Sequence, residues 1–238
     1  MKILAFDSTA RAASVAVLED ERALAVFTID NGLTQSELLL PMAEDVLRAL
    51  KLSFSDIDAF AATMGPGSFT GVRIGAALIK GLAFAKDKPC IGVSTIEALA
   101  YNMMPHEGII VPVMDARRAQ VYTGIFTSDG ESITRVSEDM AIGCTELAEM
   151  LKEYDGVPIY LVGDGYDVAY RILTECGIKI APTPRLLKNE NAYSVGLIAK
   201  RKLDKGEAVT DKEITPTYLR MPQAERERLE RLKNESSN

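Results

Sequence analysis

Short apolar runs separated by polar turns open the chain. Lys2–Phe6 closes on the polar triplet Asp7-Ser8-Thr9, and two β-rich runs, Ala12–Leu18 and Ala23–Ile29, are joined by the charged turn Glu19-Asp20-Glu21. This pattern predicts a three-stranded meander. The period then changes. Thr34-Gln35-Ser36-Glu37 places a glutamate three residues after a threonine, the arrangement of a capping box. Leu39, Ala43, Val46, Leu47 and Leu50 then fall on one helical face. Pro41 lies too deep for the first turn, so a kink is expected there. A strand over Ile57–Met64 leads through Gly65-Pro66-Gly67 to Ser68, the expected N-cap of a long helix that ends near Ala85. Strand Cys90–Val93 and helix Thr95–Tyr101 follow, with Thr95 expected as the cap, and Pro105 and Gly108 mark a break.

After the break the same pattern begins again. Strands are expected over Ile109–Met114, Gln120–Phe126 and Ile133–Ala141, then helix Thr145–Lys152, strand Pro158–Val162, turn Gly163-Asp164-Gly165 and helix Tyr166–Thr174. A last helix covers Ala192–Lys202. Both halves read βββαβα with extra elements, which predicts a duplicated, two-lobed α/β protein. The expected division is an N-terminal lobe over 1–104, a C-terminal lobe over 105–220 and a charged tail over 221–238. The tail alternates charges, as in Glu225-Arg226-Glu227-Arg228, and reads as a solvated helix or frayed end, or as a docking segment.

Composition narrows the chemistry. A chain of 238 residues, 47% hydrophobic and 26% charged, is an ordinary globule. A net charge of −7 with no basic stripe argues against a free-standing nucleic-acid binder. Cys90, Cys144 and Cys176 are odd in number and widely spaced, which fits buried thiols in a reducing cytosol better than disulfides or a zinc site. The start, Met1-Lys2-Ile3-Leu4-Ala5-Phe6-Asp7, reaches charge too early for a signal peptide, and no apolar run approaches the ~20 residues of a membrane span. A cytoplasmic location is expected. The single histidine, His106, sits in turn composition, so neither a His-rich zinc site nor a Ser-His-Asp triad can be built. A carboxylate-only magnesium site stays open.

Five segments carry a resemblance. They are Ser36–Pro41, Met64–Gly75 (MGPGSFTGVRIG), Gly92–Ala100 (GVSTIEALA), Asp115–Arg118 with Val121-Tyr122, and Pro216–Arg220 (PTYLR). In this order, over nearly the whole chain, they resemble the TsaB family. Asp-Ser-Thr closing the first strand, with two repeated halves, is similar to the actin–hexokinase (ASKHA) superfamily. Many relatives carry histidine where this chain has Gln35. The resemblance implies a scaffold that pairs with TsaD, its catalytic paralogue, and with the ATPase TsaE. Together these transfer threonylcarbamoyl to the adenosine beside the anticodon of ANN-decoding tRNAs. It also implies a competing homodimer, and contact with tRNA only through the complex. TsaD-type paralogues carry a His-x-x-x-His pair after a Gly-Val strand end, where this chain has Thr95 and Leu99. A hydroxyl is a poor ligand and leucine is none, so no metal and no catalytic residue is expected.

Three surfaces remain as candidates. Interior glycines Gly71 and Gly75 cost ~1 kcal/mol each against alanine, which is tolerable where another backbone packs closely, either in the same lobe or in a partner. With Leu78 on that helix, and Leu38, Leu40 and Met42 off the main stripe of the preceding one, they form the expected partner face. Asp7, Ser8 and Thr9, with Gly163 and Gly165 in the second half, are nucleotide-site candidates on superfamily grounds. Read as residues alone they are structural turns. They support the alternative of a small-molecule kinase or ATPase. Arg117 and Arg118 would crowd a triphosphate but could grip an anion from a partner's site. No cofactor is expected in this chain, and ATP or ADP has a place only at the partner interface.

Overall fold

The computed structural model describes residues 1–220; the charged segment 221–238 lies outside the described residues. The first lobe is built from β1 (Lys2–Asp7), β2 (Ala13–Glu19), β3 (Arg22–Ile29), α1 (Gln35–Ala49), β4 (Ala59–Thr63), α2 (Phe69–Lys86), β5 (Cys90–Val93) and α3 (Thr95–Tyr101). Its sheet has the order β3-β2-β1-β4-β5, antiparallel across the meander and parallel from β1 through β4 to β5. Parallel strands need helical crossovers, and α1 and α2 supply them.

The second lobe comprises β6 (Glu107–Asp115), β7 (Gln120–Thr123), β8 (Phe126–Asp129), β9 (Ile133–Arg135), β10 (Met140–Gly143), α4 (Cys144–Leu151), β11 (Ile159–Val162), α5 (Tyr166–Glu175), β12 (Ile180–Ala181) and α6 (Ala192–Asp204). The two strands expected over Gln120–Phe126 and Ile133–Ala141 are each broken in two. Ile125 interrupts the ladder: its carbonyl accepts both Val136 and Ser137 N–H, and its own N–H goes to Ser137 Oγ. β7 therefore pairs one end of the long strand β6 and β8 the other, with β10 and β9 outside them. Counting each broken pair as one strand, this sheet repeats the order of the first, and the repeating unit is βββαβαβα.

The last helix of each unit crosses to the other lobe. On α3 and the turn after it, Ile96, Leu99, Ala100 and Met103 pack with Ile110, Met114, Phe126 and Val162 of the second sheet. On α6, Val195, Leu197 and Ile198 pack with Ile3, Ala5, Leu18, Ala61 and Ile91 of the first. The segment after α6 also returns to the first lobe, where Val209 bridges Cys90 and Ile214 enters the core. The expected lobe 105–220 thus gives up its final helix, because the apolar face of α6 finds its partner residues on β1 and β2. Asn102, after α3, straps the two crossings: its side-chain N–H groups donate to the Leu187 and Asn189 carbonyls, and its oxygen accepts from Ser194 Oγ. No described helix is long and apolar enough to cross a membrane.

Candidate functional site

The candidate residues fall in two places: at the cleft between the lobes, and on α1 and α2. The cleft encloses about 720 Å³ and is lined by residues of the β1–β2 turn, the start of α2 and the β6–β7 turn, with Asp164 opposite. Asp7 closes β1 at 1% exposure. Its Oδ1 accepts the Thr9 N–H at 2.9 Å and the Thr9 hydroxyl at 2.7 Å. Ser8 is turned away from the cleft, its hydroxyl donating to the Gly71 carbonyl at 2.9 Å. Asp7 Oδ1 and Thr9 thus close the turn, while Asp7 Oδ2 is buried without a protein partner. On the facing wall Gly163 (φ +116°) and Gly165 lie against the β6 backbone, where a side chain at Gly163 would collide with the Val113 carbonyl. Gly165 N–H donates to that same carbonyl at 3.0 Å. Of these nucleotide candidates Thr9 lines the cleft, Ser8 ties its turn to α2, Gly163 and Gly165 pack on the β6 backbone, and Asp7 is buried with Oδ2 unpartnered.

A buried residue near Asp7 and Asp164 was not singled out by the sequence. Glu190, between the second lobe and α6, is 3% exposed. Burial raises its pKa well above the usual carboxylate range, and the nearby Asp7 and Asp164 charges add to this. Burial likewise raises Asp7 from 3.8 to about 6; the Thr9 hydrogen bonds offset part of it and Asp164 adds to it. Asp164 is raised chiefly by burial, although its Oδ1 accepts the Asp115 N–H. Like charges in a poorly solvated space favour the protonated form of one another. Glu190 left no periodic signal: it stands alone among asparagines in a loop.

The positions of the paralogue's histidine pair are filled differently. Leu99 is core, as expected, and Thr95 is buried with no protein partner for its hydroxyl. The N-cap of α3 is Ser94 rather than Thr95: Ser94 Oγ accepts the Glu97 N–H at 3.2 Å and donates to Asp139. Thr95 instead starts the helix with its side chain turned inward. Ser68 caps α2, accepting the Gly71 N–H at 3.2 Å. Glu37 closes the box on α1, its Oε2 accepting Thr34 N–H at 3.0 Å. Gln35 Nε2 donates to the Ala10 carbonyl at 2.7 Å, tying α1 to the cleft turn.

The outer face differs in part from expectation. Leu38 and Met42 are buried in the first lobe's core, because α1 buries a wider arc than its main stripe. Gly71 and Gly75 face inward too: a Cβ on Gly71 would strike the Ser8 carbonyl, and one on Gly75 would stand 2.7 Å from Ser8 Oγ. Their close neighbour is the cleft turn of their own lobe. Leu40 stays outside at 40% exposure and Leu78 is half-buried. On α2 Ala77, Gly81 and Phe84 are also exposed, Phe84 at 75%, and a Cβ on Gly81 would meet nothing within 4 Å.

Two βββαβαβα lobes that exchange their final helices and meet over a cleft define the actin/hexokinase-like class. The family model "TsaD: tRNA N6-adenosine threonylcarbamoyltransferase" matches residues 34–228. The "tRNA threonylcarbamoyladenosine biosynthesis protein TsaB" of Bacillus subtilis is 30% identical over 94% of this chain and 96% of its own. The chain belongs to the TsaB (YeaZ) family. The protein of the same name from Escherichia coli is 32% identical over 92% of this chain and 95% of its own. The solved structure "YeaZ from Pseudomonas aeruginosa" superposes with a TM-score of 0.75 at 28% identity, over 92% of this chain and 99% of that one.

Proposed function

We propose that this chain serves tRNA threonylcarbamoyladenosine biosynthesis as a non-catalytic scaffold. It docks on a TsaD-type transferase through the outer face of α1 and α2, in a cytosolic assembly that includes the ATPase TsaE, and the same face pairs two copies when the transferase is absent. ATP or ADP, where present, sits at the partner interface.

The observation that carries this reading is the outward strip of α2, where exposed Ala77 and Gly81, with open space at Gly81, leave room for a second helix and Phe84 stands 75% exposed. Small residues flanked by large apolar ones let another helix approach closely, and a large uncovered aromatic is the usual anchor of a protein contact. The non-catalytic part rests on chemistry. Thr95 and Leu99 offer no pair of ligands, and the chain has one histidine in 238 residues. The kinase alternative finds no support in Asp7, which is buried and already bonded to Thr9.

The test is calorimetric mixing of purified chain with its cognate TsaD, in the presence and absence of nucleotide. The proposal expects a stoichiometric complex, and absence of heat in every nucleotide state ends it. Gly81→Leu locates the surface. Open space at Gly81 lets leucine fit the free chain and raises helix propensity by roughly 1 kcal/mol. The variant should therefore melt no lower than the parent yet lose partner affinity at least tenfold. Unchanged affinity would move the interface elsewhere. Gly75→Leu cannot serve, since it would overpack Ser8 within the lobe.

A further inference from the structure

Three of the five segments that carry the resemblance lie far apart in sequence and meet at one rim of the cleft. MGPGSFTGVRIG brings Arg73, DARR with its following tyrosine brings Arg117, Arg118 and Tyr122, and PTYLR brings Tyr218 and Arg220. Tyr218 stacks on Phe69 at 4.9 Å between centroids, with 17° between the ring planes. Arg73 Nε donates to the Tyr218 hydroxyl at 3.0 Å. The Arg220 guanidinium lies 5.6 Å from the centre of the Tyr122 ring, with an N–H toward the Ala116 carbonyl at 3.4 Å. The final described segment is thus fastened across the β6–β7 turn.

That turn is held in an unusual backbone. Arg117, Arg118 and Ala119 have φ of 65°, 55° and 55°, the left-handed region that residues with a Cβ seldom enter, here for three in succession. Arg117 and Arg118 are both exposed. The nearest carboxylates are turned to the backbone: Asp115 Oδ1 accepts the Arg117 N–H and Asp164 Oδ1 accepts the Asp115 N–H. Among the described residues the arginines in ion pairs are Arg11, which lines the same cleft and pairs with Asp30, Arg48 and Arg135; the four arginines of this rim are not among them. In a chain of net charge −7, four arginines gather here beside the exposed Tyr218 and the half-buried Tyr122.

We propose that this rim of Arg73, Arg117, Arg118, Tyr122, Tyr218 and Arg220 contacts RNA directly when the chain is in its complex. This rests on the function proposed above and goes beyond it, since the scaffold then holds part of the substrate as well as its partner. Guanidinium groups meet phosphates, and tyrosine faces with Arg beside them are stacking platforms for unpaired bases. An acidic protein segment would use the arginines but not the ring faces, so RNA fits the rim better. The negative charge of the rest of the chain explains why the rim needs the complex: only a partner can supply the remaining attraction.

The experiment uses the heterodimer of this chain with its TsaD partner and fluorescent cognate tRNA, read by anisotropy across a salt series. Asparagine tolerates left-handed backbone, so Arg117→Asn/Arg118→Asn removes charge while keeping the turn. The proposal expects the variant heterodimer to form as before on size exclusion. It expects tRNA affinity to fall about tenfold and the slope of log affinity against log salt to drop by about two. Unirradiated controls apart, wild-type heterodimer exposed to light with 4-thiouridine-containing RNA should crosslink in peptides holding Tyr122 or Tyr218, a readout that needs no variant. Parental affinity and slope in the variant, or crosslinks confined to other peptides, would overturn the proposal. So would a variant that keeps tRNA but loses TsaE, which would assign the rim to a protein. Failure of the wild-type chains to form a heterodimer would instead sink the scaffold reading, and this inference with it.

Discussion

Asp7 shows how burial changes the chemistry of a carboxylate at a strand end. A carboxylate at the end of the first strand invites a magnesium–phosphate reading, but here it is 1% exposed and tied to Thr9. Its pKa is raised by burial from 3.8 to about 6. A raised carboxyl pKa means that the native state binds the proton more tightly than the unfolded chain. Stability is then lost as pH climbs from about 4 to about 6, by on the order of 3 kcal/mol for two units. Glu190 is raised still further and extends the loss in the same direction. Asp7→Asn keeps an acceptor for Thr9 and removes the charge. Its melting temperature relative to the parent should therefore climb between pH 4 and pH 7.5; a difference independent of pH would show that Asp7 is not a buried acid. None of this was legible in the sequence, where Asp7 is one polar residue at a strand end. Its neighbour Glu190 lies far along the chain and reaches it only through the crossing before α6.

At the level of elements the sequence spoke clearly where a local rule decides. Ser68 as cap of α2 and Glu37 closing the box on α1 follow from side chains a turn apart. The start of α3 did not, because Ser94 and Thr95 are both competent caps and tertiary packing chose between them. Ser94→Ala should cost about 1–2 kcal/mol, since it removes the cap and one of the two partners of Asp139, which keeps Arg135. Thr95→Val exchanges a buried hydroxyl for a methyl of like shape and should be neutral or better. Chemical denaturation of the two variants checks this, and the reverse order would return the cap to Thr95. The faces of α1 and α2 were half legible. Periodicity placed Leu39, Ala43 and Val46 inside, but it could not tell that Leu38 and Met42 are inside as well, nor that Gly71 and Gly75 serve the cleft turn. Those depend on how wide an arc the neighbouring elements cover.

For the whole molecule, duplication was readable because each half repeats strands, helices and turns in one order. The exchange of α3 and α6 between the lobes was not. An amphipathic helix declares that it has a buried face and says nothing of which sheet covers it. The breaks at Ile125 and between Arg135 and Met140 were hidden for a related reason: a long β-rich run looks the same whether its ladder serves one end of β6 or both. That exchange makes the two lobes one interlocked body, a firm platform for the strip at Ala77, Gly81 and Phe84. The claim on which everything else depends is that this platform acts by holding a catalytic relative. Its most direct measurement is reconstituted threonylcarbamoylation of tRNA with TsaD and TsaE, run without the chain, with the chain and with the Gly81→Leu variant. The account predicts product only with the unaltered chain present, and a loss in the variant that tracks its loss of binding. Product formed by the chain alone, or full activity from a variant that no longer binds, would contradict it.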